Sequence, residues 1–472
     1  MVLIVGPLLA LAGCGDYFHA GPIAYKPSER AATDLKDKPN LQEAVRKTLA
    51  DLFGPAPQEI KIPPGSGFPE GGRRLAGYEG IQGNAETIKP ITYVSAATGG
   101  KTQIAGGYGL YRKYCLHCHG LQGGGDGPTS AFLYPRPRDY RPGIFKFTST
   151  APSNPKPTRD DFRKTLRYGL HGTSMPAFEA LMTPAEIEQV IDYVVFLSIR
   201  GEVEKNLIDE AKLADKDEAS AIADDTVKDL LANIVNNWKA VEGLVVAPKA
   251  RRVPPTRESV MRGRDIFLGI NKTGNKVVCT DCHGPQGLGN GASFVERRLF
   301  DKIVFAHLDH RTFGGAMTDE QKKETDAILE AAIASRYREV HDEERSAHHV
   351  PGAVHEPEDA AAFEAKYKEY HDRMMTAWKP GSLDDWGNPL RPANLNLGVY
   401  KGGRRPIDLY WRIAKGINGA KMPAHSNLLP DEQIWDVVNF VLALPTEPDL
   451  LKDAEMLKKN AAMAPPAAVT QR

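Results

Sequence analysis

The sequence predicts a mainly α protein made of two tandem copies of one small helical domain, the second carrying a helical insertion. Two observations predict it. Five landmarks recur in one order in two distant stretches of the chain, and each stretch opens and closes with apolar residues at helical spacing.

The landmarks start with Gly107-Tyr-Gly-Leu-Tyr111 and Cys115-Leu-His-Cys118-His119-Gly120, matched by Gly263-Arg-Asp-Ile-Phe267 and Cys279-Thr-Asp-Cys282-His283-Gly284. Arg136-Pro137 and Gly143-Ile-Phe-Lys return as Arg391-Pro392 and Gly398-Val-Tyr-Lys. Gly172-Thr-Ser-Met175-Pro176-Ala returns as Gly419-Ala-Lys-Met422-Pro423-Ala. A helical pattern at 105–114 leads into the first cysteine pair. Ile187, Val190, Ile191, Val194 and Leu197 follow the Thr183-Pro184 start of the closing helix, as Ile434, Val437, Val438, Val441 and Leu442 follow Pro430.

The remaining segments are read in order. Val2 to Ala12 is apolar but far too short to span a bilayer, and Leu11-Ala12-Gly13-Cys14 resembles the bacterial lipoprotein box. Residues 1–13 are therefore expected to be a signal peptide and Cys14 a lipidation site. Two acyl chains there would anchor the protein to a membrane, where one gives only marginal binding. Residues 14–103, rich in Pro and Gly, predict an extended arm with one helix at Asn40–Leu52. The first domain is set at 104–202. A linker at 203–257 carries an amphipathic helix with Val227, Leu230, Leu231, Ile234, Trp238 and Val241 on one face, which favours packing on a neighbour. The second domain is set at 258–446, with a tail at 447–472.

His119 and Arg136 lie 17 residues apart, and His283 and Arg391 lie 108 apart. The excess predicts an insertion at about 296–386, most of it two charged helices, Asp319–Glu344 and Glu358–Ala377. His341, His348, His349 and His355 crowd this hairpin and are read as solvated, with a metal site as the alternative.

Over its 472 residues the chain has 41% apolar and 25% charged residues, as expected of an ordinary globular protein. Lys plus Arg equals Asp plus Glu, so no global charge points to nucleic acid. Five cysteines, four of them in two Cys-x-x-Cys pairs, do not make a disulfide framework.

Cys-x-x-Cys-His is the attachment signal for c-type haem. Two intervening residues let one turn present both sulfurs along a porphyrin edge, and the next side chain points at the iron. Cys115, Cys118, Cys279 and Cys282 are thus the candidate thioether positions, and His119 and His283 the candidate proximal ligands. A zinc site is the alternative, and its weakness is that the motif occurs twice in matched context. Met175 and Met422, each in Gly-x-x-Met-Pro-Ala before the closing helix, are the candidate sixth ligands, since a neutral thioether favours Fe(II). Arg136 and Arg391 are candidates for contact with haem propionates, a solvated role being equally open. His171 and His425 flank the methionines and are not expected to ligate.

Both copies resemble class I cytochromes c over roughly residues 104–200 and 258–446, less the insertion. The resemblance implies two c-type haems and no vacant iron position. The first copy's Arg138-Asp139-Tyr140 and Lys146-Phe147-Thr-Ser-Thr150 are similar to small cytochromes that serve bacterial respiratory complexes. The expectation is a membrane-tethered carrier of single electrons on the periplasmic or extracytoplasmic side of a bacterial envelope. Its partners would be redox proteins of a respiratory chain, met as a free shuttle or as a subunit of a larger membrane complex. Two alternatives stay open: a di-haem peroxidase-type enzyme, and the cytochrome subunit of a periplasmic dehydrogenase.

Overall fold

The computed structural model describes residues 25–76, short stretches between 78 and 103, and 106–271, 277–291 and 384–454, with a few single positions excepted, and residue 457. Cys14, the leader, the two inserted helices with their four histidines, and Arg391 lie outside the described residues. Only the last three residues of the expected insertion, 384–386, are described.

Among the described residues there are twelve α-helices, six short 3-10 helices and two antiparallel ribbons. The helices before the first cysteine pair are α1 (Glu29–Asp34), α2 (Pro39–Phe53), α3 (Arg73–Ala76) and α4 (Gly106–Tyr114). Ribbon β1–β2 pairs Tyr78–Glu79 with Lys89–Pro90, and β3–β4 pairs Thr92–Val94 with Lys101–Gln103. Then come α5 (Leu116–His119), α6 (Arg159–Tyr168), α7 (Pro184–Leu213) and α8 (Asp224–Lys239). The second unit supplies α9 (Arg257–Leu268), α10 (Thr280–His283), α11 (Pro406–Lys415) and α12 (Asp431–Ala443). Among the described residues no helix is long and apolar enough to cross a membrane.

Each unit is held by its first helix crossing its last. In the first unit α4 lies on α7 at Gly107, where a Cβ would fall 2.3 Å from the Gln189 carbonyl oxygen. In the second α9 lies on α12 at Gly263, where a Cβ would fall 2.1 Å from the Asp436 carbonyl oxygen. Only glycine lets the backbones approach this closely. Around the crossings Tyr193 packs 5.2 Å from Tyr111, and Phe440 packs 5.3 Å from Phe267. The closing helix α7 starts with a capping box, Thr183 with Glu186, and α6 with another, Thr158 with Asp161.

Three boundaries differ from the sequence reading. The domain end set at 202 falls inside one continuous helix, because α7 runs on to Leu213 with Val203, Leu207, Ile208 and Ala211 buried. The arm is no extended spacer over residues 25–76. Leu41, Val45, Leu49 and Phe53 of α2 are buried in the core of the first unit, and Asp217 accepts the Asn40 and Leu41 amide hydrogens at 3.1 and 2.9 Å. Proline-rich composition marked the loops there and hid the apolar stripe of α2. The second unit passes 446, with Leu450, Leu451 and Ala454 in its core. Linker helix α8 packs on the first core through Val227, Leu231, Ile234, Val235 and Trp238. The Trp238 Nε1–H donates to Glu202 at 2.7 Å, and Leu230 is only half-buried.

The two units meet along a polar seam. Lys146 pairs with Asp384 at 2.8 Å, Lys164 pairs with the fully buried Asp408, and the Asn418 Nδ2–H groups donate to the Phe145 and Pro155 carbonyls at 2.9 and 3.2 Å. Burial would raise the Asp408 carboxyl, but Arg405 and Lys164 outweigh it and hold it below the usual range.

Lys415 is buried at the seam and donates to Thr148 Oγ1 at 2.9 Å, with Asp161 and Arg412 as its charged neighbours.

Two outcomes are expected. Gly107→Ala and Gly263→Ala each force their helix pair apart and cost about 1–3 kcal/mol or more, measured by denaturant unfolding, whereas alanine at the solvent-facing Gly243, which has nothing within 4 Å, costs far less. Burial pushes the Lys415 ammonium down to about 8 from 10.5. Between those values the unfolded chain binds a proton that the folded chain does not, so this group's contribution to stability rises with pH. Lys415→Met should raise the melting temperature at pH 7, by on the order of 1–3 kcal/mol in stability, and flatten the change between pH 7 and 10.

Candidate haem site

The two Cys-x-x-Cys-His turns have the same backbone. Cys115 and Cys279 stand immediately before the one-turn helices α5 and α10, and the His119 and His283 amides donate to the Cys115 and Cys279 carbonyls at 2.8 and 2.9 Å. Each Gly-rich turn then folds back. Gly125 and Gly289 donate to the His119 and His283 carbonyls at 2.9 and 2.8 Å, and Gly127 and Gly291 donate to the Cys118 and Cys282 carbonyls at 3.2 and 3.1 Å.

The imidazoles are held alike. His119 Nδ1 lies 3.1 Å from the Arg138 carbonyl oxygen and His283 Nδ1 lies 3.2 Å from the Ala393 carbonyl oxygen. A carbonyl can only accept, so Nδ1 carries the hydrogen and Nε2 keeps its lone pair for a metal. Burial lowers both imidazolium pKa values and keeps the rings neutral. In the first unit the Tyr140 ring lies 5.4 Å from His119. Its hydroxyl donates to Tyr111 at 2.6 Å, and Tyr111 donates to the Gly120 carbonyl at 2.7 Å.

The methionine loops repeat as closely. The Leu170 and Ile417 amides each donate to the carbonyl of the methionine five residues on, Met175 and Met422, both at 3.1 Å. Gly169 and Gly416, at φ 68° and 74°, end α6 and α11. A Cβ there would lie 2.7 and 2.5 Å from the Met175 and Met422 carbonyl oxygens. Both methionine side chains are half-buried against their unit's core.

Cys115, Cys118, His119 and Met175 from one unit and Cys279, Cys282, His283 and Met422 from the other line one continuous cavity of about 1240 Å³. That exceeds the roughly 300–1,000 Å³ of a single ligand pocket. Its wall is largely apolar, and among the described residues Arg136, Arg138, Lys146, Lys401, Arg412 and Lys421 outnumber Asp161 and Asp384. This suits flat apolar groups that bear carboxylates.

The residues fit c-type haem. None of the four cysteines forms a disulfide, and each lines the cavity beside its histidine. The zinc alternative would need three or four nitrogen, oxygen or sulfur ligands converging on one point. Among the described residues no three His, Cys, Asp or Glu side chains converge on a metal position.

Some site residues escaped the sequence reading. Arg138 and Ala393 anchor the histidines through carbonyls, and the recurrent Arg-Pro pair just before each was the available signal. Arg136 itself is exposed at the mouth of the cavity. His171 is exposed, whereas His425 lines the cavity with its Nδ1 buried and without a hydrogen-bond partner. Phe178 takes the equivalent place in the first unit. The Phe178 and His425 amides donate to the Leu166 and Ile413 carbonyls at 2.9 and 3.0 Å.

No curated protein matches the chain significantly. Among solved structures, one chain of the Kuenenia stuttgartiensis reducing HAO-like protein complex matches at 21% identity. The match covers 76% of this chain and 99% of that one, with a TM-score of 0.40, too low to carry an argument. Residues 102–194 match the family described as cytochrome C oxidase, cbb3-type, subunit III. That stretch spans α4, the first Cys-x-x-Cys-His turn, the Met175 loop and the first part of α7. Residues 102–194 are a cytochrome c domain, and c-type haem is the cofactor this domain implies.

Proposed function

We propose that the chain is a di-haem c-type cytochrome that passes single electrons between respiratory redox partners, tethered to a membrane by lipid on Cys14. The observation that carries the two-haem reading is the equivalence of the two ligand sets: the second repeats the backbone hydrogen bonds of the first cysteine turn and methionine loop and the carbonyl anchor of its histidine, and it faces the same cavity. Bound haem would supply one-electron chemistry at iron.

The chain's own residues would do the rest. Cys115, Cys118, Cys279 and Cys282 hold the group covalently, and His119 and His283 present Nε2 from one side. Met175 and Met422 would each add a neutral sulfur ligand, and the apolar wall would limit water, which favours the reduced state. Held by both a histidine and a methionine, the group would have no site left for a reactant, which sets the proposal apart from a peroxidase. A cytochrome subunit serving a dehydrogenase or an oxidase carries electrons in the same way, and the family match over 102–194 supports a place within a larger respiratory assembly; the lipoprotein-like Leu11-Ala12-Gly13-Cys14 favours the extracytoplasmic side of a bacterial envelope.

The purified full-length protein should contain two haems per chain by pyridine haemochrome assay and be low-spin at both irons when oxidised. Met175→Ala and Met422→Ala should each lower one midpoint potential or create one high-spin centre, leaving the other centre unchanged in a redox titration. Ready binding of carbon monoxide at both reduced centres of the unaltered protein would refute six-coordination.

A further inference from the structure

Arg138 faces two ways. Its carbonyl oxygen accepts the His119 Nδ1–H at 3.1 Å. Its guanidinium lies 3.8 Å from the centroid of the Trp386 ring and 3.5 Å from Asp384 Oδ2, in the other unit. The Lys146 ammonium also sits over this ring, 5.6 Å from its centroid.

Trp386 then reaches the second ligand set. Its ring covers Gly419, where a Cβ would come 2.2 Å from a ring carbon, and the Asp385 amide donates to the Gly419 carbonyl at 3.0 Å. Gly419 opens the loop that ends in Met422.

Asp384 locks the arrangement. Its side chain is only 2% exposed, Oδ1 accepts the Trp386 and Asn388 amide hydrogens at 3.0 and 2.8 Å, and Oδ2 accepts from Lys146 at 2.8 Å. A line of direct contacts thus joins the histidine anchor of the first unit to the methionine loop of the second. The indole shields the guanidinium and the loop backbone, groups that water would otherwise solvate.

We infer that Trp386, held by Asp384 against Arg138, is a positioning residue that couples the two redox centres, fixing the imidazole anchor of one and the methionine loop of the other in a shared, water-poor seam. This rests on the two-haem reading above. Loss of the indole would admit water beside both centres, and water stabilises the charge of the oxidised state. Both midpoint potentials should therefore fall.

The test uses the full-length purified protein and three variants, Trp386→Ala, Trp386→Phe and Lys164→Ala. The last loosens the seam at Asp408, and neither Lys164 nor Asp408 lines the cavity. Haems are counted first. Fewer than two per chain in the unaltered protein would overturn the two-haem reading, and this inference with it. With two present, optical redox titration decides the inference alone. Trp386→Ala should lower both midpoints, each reduction equilibrium changing severalfold, while the methionine–iron charge-transfer band remains. Trp386→Phe should restore most of the shift, and Lys164→Ala should leave both midpoints in place. Unchanged midpoints in Trp386→Ala, a shift in only one, or an equal shift in Lys164→Ala would overturn it.

Discussion

The close crossing of the first and last helix of each unit is the constraint on which the rest of the structure depends. At Gly107 and Gly263 the absent side chains let backbone meet backbone. Without that approach Tyr111 could not reach the Gly120 carbonyl while packing on Tyr193, nor could Phe267 lie against both His283 and Phe440. The cysteine turn follows directly from α4 in the first unit and is tied to α9 in the second by the Cys279 amide, which donates to the Phe267 carbonyl at 3.2 Å, and in each unit the methionine loop leads into the last helix. Fixing the crossing therefore fixes the distance between the two ligand-bearing segments. Buried aromatic packing around each crossing makes the geometry stiff, because tightly filled interiors resist small shifts.

Between the units the physics changes from apolar to polar. Lysines and an arginine of the first unit meet carboxylates of the second, and backbone carbonyls take the amide of Asn418. Such contacts set orientation more than they add stability, since desolvation offsets most of the attraction. Orientation is the useful property here: it turns the Cys-x-x-Cys-His turns of the two units toward each other, so that both line one cavity. The same cations leave that cavity positively lined, in keeping with groups that carry carboxylates.

The two units are not equivalent in their surroundings. The first is wrapped by α2 and α8 and has Phe178 beside its methionine loop. Among the described residues the second has no counterpart of α2 or α8, and His425 takes the corresponding place, lining the cavity. Under the two-haem proposal, centres with the same ligands but different burial and polar neighbours would not need to share a potential, because exposure and nearby hydrogen bonds tune it.

The duplication, the helical class and the eight candidate haem-binding side chains were legible in the sequence, because Cys-x-x-Cys-His and Gly-x-x-Met-Pro are short-range patterns whose geometry is local. The α2 and α8 helices were legible too, from apolar spacing, though what α2 packs against was not. Helix α7 gave no sign of a domain end at 202 because it is buried nearly all round, so its pattern simply continues. Tertiary structure alone decided which carbonyls orient the histidines, that Trp386 spans both ligand sets, and that the crevices join. Apart from the His119–Arg138 contact, which spans 19 positions, these depend on contacts between residues more than a hundred positions apart, such as Lys146 with Asp384 and Thr148 with Lys415. No local spacing records a pairing of that kind, because it exists only once two finished units have packed.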